Sequence, residues 1–367
     1  MANTSDILHY KKKGFDWEKY INLQKEHILE RISKFPGRLY LEIGGKFMFD
    51  SHAARVLPGF NAESKKIIFS SLKSQIEILF CVNAKDILQN RQLSNQDISY
   101  KEYVVGMLKQ IEINIGVKPH IVINAIDVEN MFDLILEFEK EFQRKNYKVW
   151  ERYKINWYPH AIKSVLSDGW FGNDDHIPLT KNLILVTWAA SNSGKMSTCL
   201  WQIYLDNQIG IESGYAKYET FPIWDLPVEH PVNLAYEAAT IDIGDYNCID
   251  PYYQKVTGKL STNYNRDVEA FEIVMNIASK IVSKESFMNQ YNSPTQMGIS
   301  YAGSCITDDE IISIASLQEI RRRKDWYQEI VDRKEGDEKW IQKCNELEDK
   351  CLAYCESKKY NTKLKLD

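Results

Sequence analysis

The stretch Leu183-Ile184-Leu185-Val186-Thr187-Trp188-Ala189-Ala190-Ser191-Asn192-Ser193-Gly194-Lys195 decides how this chain reads. Residues 183–187 form a short apolar run of the kind that a strand buried on both faces requires. The glycine-lysine pair then opens a helical segment from Lys195 to about Asn207. A buried strand, a tight turn and a helix are the parts of a phosphate-binding loop. Backbone N–H groups converge on the anion, the positive helix end faces it, and the lysine reaches the outer phosphates. The full GxxxxGK[ST] pattern is degenerate here, because Ala189 holds the first glycine position and Met196 follows the lysine. A hydroxyl for magnesium then has to come from Ser197 or Thr198. Ser191, Asn192, Ser193, Gly194, Lys195, Ser197 and Thr198 are therefore the candidate nucleotide-binding residues. A plain βα turn with a solvated lysine is the alternative, although the helix dipole disfavours a cation there unless an anion sits beside it.

Working outward, helix-like spacing over Asp16 to Phe35 stops at Pro36-Gly37. Strands are predicted at Arg38 to Ile43, Gln75 to Val82, His120 to Ala125 and Tyr147 to Ile155, with helices at about 61 to 73, 99 to 114 and 128 to 145. This alternation predicts an α/β fold with mostly parallel sheets and flanking helices, a P-loop-like second unit and a helical C-terminal tail. The turn-formers of Ser167-Asp168-Gly169 and Gly172-Asn173-Asp174-Asp175 suggest a boundary, giving units 1–175 and 176–330 and a charged helical tail 331–367; a loop within one large sheet is the other reading. The tail reads as solvent-exposed helices or an assembly surface.

Composition narrows the function. With 46 basic against 51 acidic residues the chain carries a net charge of −5 with its cations dispersed, which argues against nucleic acid as a partner. No apolar run is long enough for a membrane span, and the first residues lack a secretory signal. The odd count of seven cysteines fits a reducing compartment, so a cytoplasmic protein acting on a small-molecule substrate is expected, with homo-oligomerisation left open. Cys344, Cys351 and Cys355 fall on one helical face and read as buried packing residues rather than metal ligands.

Other polar groups supply candidate chemistry. In Tyr215 to Pro222, period-two spacing puts Lys217 and Glu219 on one face, where the lysine could stabilise transferred charge; a solvent-facing ion pair is the plain alternative. Glu237, Asp242 and Asp245 lie within nine residues and are candidate ligands for Mg²⁺, which prefers oxygen donors. His52 follows Gly44-Gly45-Lys46 beyond a strand end, between Asp50 and Arg55. Ligands of open α/β sheets bind at such ends. His52 is thus a catalytic candidate with Lys195 and Lys217, and Gly45, Lys46, Arg55 and Glu219 are substrate-binding candidates. No HExxH, GxSxG or GxGxxG pattern is present.

Several long runs carry a family resemblance. They include Leu41-Glu42-x-Gly44-Gly45-Lys46, His52-Ala53-x-Arg55-Val56-Leu57-Pro58-Gly59-Phe60, Gly214-Tyr215-Ala216-Lys217-x-Glu219-Thr220-Phe221-Pro222, His230-Pro231-Val232-Asn233-Leu234-Ala235-Tyr236-Glu237 and Asn263-Tyr264-Asn265-Arg266-Asp267. In these the chain resembles the bacterial proteins grouped as domain of unknown function 1846, from about Gly14 to about Arg323. The resemblance brings no established reaction. It departs from the family where Ala190-Ser191-Asn192 replaces a glycine-rich turn, and the family's long C-terminal portion is expected to be missing. A local likeness to the ATP-using amidoligases, typified by CTP synthase and dethiobiotin synthetase, lies in the order phosphate loop, Lys217, then Ala239 to Tyr246. It implies ATP, Mg²⁺ and an acid substrate activated by phosphorylation. The expected function is ATP- and Mg²⁺-dependent phosphoryl transfer or ligation on a small molecule, the work of a kinase or ligase. The alternative is a nucleotide- or metabolite-binding protein without catalysis, favoured by Ala189 and Met196. A sugar-phosphate-using transferase or phosphorylase is compatible with the fold alone.

Overall fold

All six residues of β1 (Arg38–Ile43) are buried, as a strand covered on both faces must be. In the computed structural model, which describes residues 10–89, 98–154, 174–190 and 192–367, β1 is flanked by two parallel neighbours. They are β5 (Leu183–Trp188) and β6 (Ser213–Tyr218). With β2 (Ile76–Asn83), β3 (His120–Ile126), β4 (Val149–Tyr153) and β9 (Gly298–Ile299) they form one seven-stranded sheet of order β4-β3-β2-β5-β1-β6-β9, parallel throughout. A two-stranded antiparallel ribbon, β7 (Asn247–Ile249) and β8 (Thr262–Tyr264), stands apart.

The order places β5 between β1 and β2, so strands from both sides of residue 175 interleave in the same sheet. The sequence leaves this undetermined because strand order is set by crossovers, not by chain order. Of the turn-former loop before β5, residues 167–173 lie outside the described residues.

Helices cover both faces. From β1 the chain runs through α2 (Ser51–Val56) and α3 (Ser64–Ser71) to β2; from β5 it runs through α7 (Lys195–Gln208) to β6. These connections leave adjacent strands in opposite directions along the sheet. Right-handed crossovers then put them on opposite faces. Accordingly α3 packs with α1 (Trp17–Ser33) and α5 (Tyr100–Ile115), and α7 packs with α10 (Asn265–Ile281). Adjacent strands with opposed exits open a crevice at their carboxyl ends, the place where ligands of such sheets bind. The shorter helices are α4 (Ala84–Leu88), α8 (Pro231–Ala238), α9 (Pro251–Thr257) and α11 (Pro294–Met297), and α6 spans Val128–Arg144.

The C-terminal helices differ from the exposed or assembly surface expected of them. Helix α12 (Asp309–Asp332) packs against α2, α8 and α13 (Glu338–Ser357), forming a second apolar core. The free cysteines Cys344, Cys351 and Cys355 are buried on α13 together with Leu347. High overall charge masked that stripe, which repeats at helical spacing. No helix among the described residues is long and apolar enough to cross a membrane.

Candidate functional site

Backbone register builds the centre of the site. Glu42, near the end of β1, stands level with Lys217 of β6 on one side and Val186 of β5 on the other. The turn after β5 then delivers Lys195 to the same place: its ammonium lies 3.2 Å from Glu42 Oε1 and donates to Ile43 O at 2.9 Å. The lysine therefore spans from the helix start to β1, with its charge over the Trp188 ring.

The turn is shaped by two asparagines from the neighbouring strands. Asn83 donates to Asn192 O at 2.9 Å and Asn124 donates to Ser193 O at 2.8 Å. Asn192 and Gly194 both take positive φ, 63° and 82°. A Cβ on Gly194 would meet the Asn124 side chain at 3.0 Å, so glycine is required by conformation and by space. Gly194 is the N-cap of α7, whose first amides have no intrahelical acceptors and whose dipole favours an anion. A second observation points to a ligand: Ser193 is only 2% exposed, lines the cleft, and has a hydroxyl without a hydrogen-bond partner among the described residues. Two other candidates are engaged by protein. Arg152 donates to Ser197 Oγ at 2.9 Å, and Thr198 Oγ1 lies 2.9 Å from Gly194 O. Ser191 lies outside the described residues.

Next to Glu42 is a buried cluster around Lys217. Its ammonium pairs with Glu219 Oε1 at 2.8 Å and Asp267 Oδ2 at 2.7 Å and contacts the Tyr264 hydroxyl. Tyr264 also donates to Glu219 at 3.1 Å, and Tyr215 donates to Glu42 at 2.8 Å. The Lys217–Glu219 pair is thus interior, on a strand flanked by β1 and β9, rather than a solvent-facing pair on an edge. Gly44 is glycine because Glu219 passes so close that any Cβ would collide with its carboxylate.

These surroundings set the protonation states. Burial works against the Lys217 charge, but Asp267, Glu219 and Glu42 outweigh it and hold the ammonium well above its ordinary range. Burial also opposes ionisation of Glu42, yet Lys195, Lys217 and the Tyr215 bond keep its carboxyl below the usual value. Glu219 goes the other way: burial, with Asp267 adding, raises it despite Lys217.

Both groups of residues line one cleft of about 760 Å³ at the carboxyl ends of β1, β5 and β6. It reaches Gly45, Lys46 and His52 on one side and Asp245 and Arg266 on another. His52 Nδ1 lies 3.3 Å from Glu319 Oε1, its ring rests against Phe221, and its buried Nε2 has no partner among the described residues. Burial holds the imidazole below its ordinary pKa, although Glu319 pulls upward. Arg55 sits behind, donating to Glu319 Oε2 at 2.7 Å, and is not among the residues that line the cleft.

The three carboxylates expected near a metal face different partners. Glu237 accepts from Asn247 N at 3.0 Å and pairs with Lys343 at 3.1 Å; Asp242 accepts from Tyr327 at 3.1 Å; Asp245 pairs with Arg266. Of these only Asp245 lines the cleft, with Oδ1 buried and without a partner among the described residues. Among the described residues no group of three or more His, Cys, Asp or Glu is placed to hold a metal ion.

Sequence reasoning missed Glu42, Asp267, Tyr264 and Glu319. Glu42 could have been found as a charge inside an otherwise apolar strand. Asp267 and Glu319 lie 50 and 267 residues from the side chains they pair with, Lys217 and His52, and no local spacing reveals that.

The fold and site define a doubly wound parallel α/β protein with a charge-rich cleft at its strand switch. Over residues 13–351 its sequence matches the family model described as "Domain of unknown function DUF1846, N-terminal", and the chain belongs to that family. It is similar to UPF0371 proteins of Corynebacterium efficiens (42% identity over 88% of this chain and 63% of the relative), Corynebacterium diphtheriae (43%, 84% and 61%) and Streptococcus thermophilus (42%, 88% and 63%). The chain thus spans about three-fifths of the length of these relatives.

Proposed function

We propose that the cleft binds the phosphate of a nucleotide or another phosphorylated small molecule on the 192–195 turn and carries out group transfer beside it, with ATP the nucleotide expected. The observation that supports this most directly is the convergence of Lys195, just after β5, and Lys217 of β6 on Glu42 of β1, at the start of a helix whose first residues line the same cleft. An incoming phosphate would compete with Glu42 for the Lys195 ammonium. Lys217, held protonated by its acids, would act as a fixed positive charge against developing negative charge rather than as a base. Glu219, raised by burial and accepting from Tyr264, would serve as the proton-transfer group.

For Mg²⁺ the cleft offers, as its buried carboxylate oxygen without a partner among the described residues, Asp245 Oδ1. That fits an ion carried in by the nucleotide's phosphates and touched by one protein ligand, as Mg²⁺ often is, and not a protein cage. The metal would supply charge neutralisation on the phosphates.

Calorimetric titration with ATP, with and without Mg²⁺, tests this, coupled to a screen of small acids for release of ADP or pyrophosphate. Binding that is lost in Lys195→Ala supports the reading, and no binding in the wild-type chain defeats it. A second reading, a binding protein without catalysis, is favoured by the engagement of Lys195 with Glu42 and Ile43 O. It predicts binding with no turnover in the screen.

A further inference from the structure

One end of the cleft carries positive charge that the phosphate turn does not use. Glu319 of α12 is a single carboxylate facing three guanidinium groups. Arg55 is 2.7 Å from Oε2, Arg322 is 2.6 Å from the same oxygen, and Arg323 is 3.2 Å from Oε1. His52 is 3.3 Å from Oε1. One negative charge cannot balance both Arg55 and Arg323. The neighbouring acid, Asp50, is already satisfied by Lys65 at 3.2 Å.

Lys46 adds a further cation. It follows the Gly44-Gly45 bend at the end of β1 and lines the cleft with Arg323 and His52. Its ammonium has no hydrogen-bonded or ion-paired partner among the described residues. The Lys46 side chain is exposed to the cleft, yet the surrounding walls, with Arg323 and Arg55, hold its pKa below the ordinary lysine value in spite of Asp50. An anion bound between Lys46 and Arg323 would relieve that repulsion. Lys65 shapes the bend, since it donates to Gly44 O and Lys46 O at 2.9 Å each and so fixes the backbone from which Lys46 projects.

We propose that Lys46 and Arg323 form a second anion subsite, so that the cleft takes a small molecule bearing two anionic groups, one on the 192–195 turn and one here. Glu319 positions Arg323 and does not touch the ligand. The second group is a carboxylate or a phosphate; both chemistries pair with an ammonium and a guanidinium. This rests on the phosphate reading of the turn for the first anion only.

The test is calorimetric, on the full chain, with probes that share one skeleton. Glycerol 3-phosphate and glucitol 6-phosphate carry one anion; 3-phosphoglycerate and 6-phosphogluconate add a carboxylate; glycerol 1,3-bisphosphate and glucitol 1,6-bisphosphate add a phosphate. At least one doubly anionic probe is expected to bind tenfold or more tightly than its single-anion counterpart. Lys46→Gln should abolish that advantage while leaving the single-anion probe unchanged, and Arg323→Gln should reduce it. Lys195→Ala should weaken every probe. Equal affinities within each set, or an advantage that survives Lys46→Gln, would overturn the second subsite while leaving the turn standing. Lys46-dependent binding that ignores Lys195→Ala would support the subsite and defeat the phosphate turn. No binding of any probe would overturn both. Whether the carboxylate or the bisphosphate set shows the advantage distinguishes the two sources.

Discussion

Lys217 and Asp267, fifty residues apart in sequence, pair at 2.7 Å beneath the candidate cleft, and Glu219 closes the same cluster at 2.8 Å. One lysine thus pairs with the buried Glu219 and the partly buried Asp267. Removing it strands both.

Lys217→Met should therefore lower stability by about 3–5 kcal/mol, the cost of leaving buried charge uncompensated. Denaturant unfolding of the two chains checks this. A loss below about 1 kcal/mol, the size of an exposed pair, would mean that the cluster is open to solvent.

The Glu319 hub predicts an acid limb. Burial opposes its ionisation, but the bonds from Arg322 and His52 and the Arg55 charge hold its carboxyl well below the ordinary 4.5, and burial holds His52 below 6.5. In both cases the unfolded chain takes up the proton first. The associated stability is full above the unfolded value and is lost as pH falls, from 6.5 downward for His52 and from 4.5 downward for Glu319. Melting temperature followed from about pH 8 to about pH 3 should fall along this course. Glu319→Gln should flatten the part below 4.5 and cost about 3–5 kcal/mol at neutral pH by leaving Arg55 unpaired. An unchanged acid limb in the variant would remove Glu319 from the account.

Gly194→Ala places a side chain at a φ of 82°, against Asn124. The backbone alone costs about 1–2 kcal/mol. Because the strain falls on the turn that would hold phosphate, affinity should drop with stability. Gly194→Asn, which tolerates the backbone conformation better but brings the same Cβ against Asn124, should also lose both. Equal affinity in all three chains would detach the turn geometry from binding.

Leu347 is buried where α13 meets α12 and α8. Leu347→Ala should cost about 2–5 kcal/mol in an unfolding experiment, as a core leucine does. A cost within about 0.5 kcal/mol would instead fit a surface residue.

Individual elements were legible where local pattern fixes them. The apolar run of β1 ends at Ile43 in both readings, and the glycine-lysine pair opens α7 at Lys195. What local pattern does not encode is which strands become neighbours. The insertion of β5 between β1 and β2 brings Lys195 to Glu42, and nothing near either residue announces it. The same limit hid Asp267 from Lys217. It also misdirected the acidic run after Glu237: spacing suggested convergence, but Glu237 is taken by Lys343 and Asp242 by Tyr327, both from the C-terminal helices.

The central claim is that an anion sits on the 192–195 turn at the start of α7. The most direct measurement is the amide spectrum of isotopically labelled chain during titration with inorganic phosphate. Saturable shifts at the amides of Ser193 to Ser197, abolished by Lys195→Ala, are the predicted result. Amides in that turn that stay fixed while phosphate shifts others, or shifts none, would contradict it.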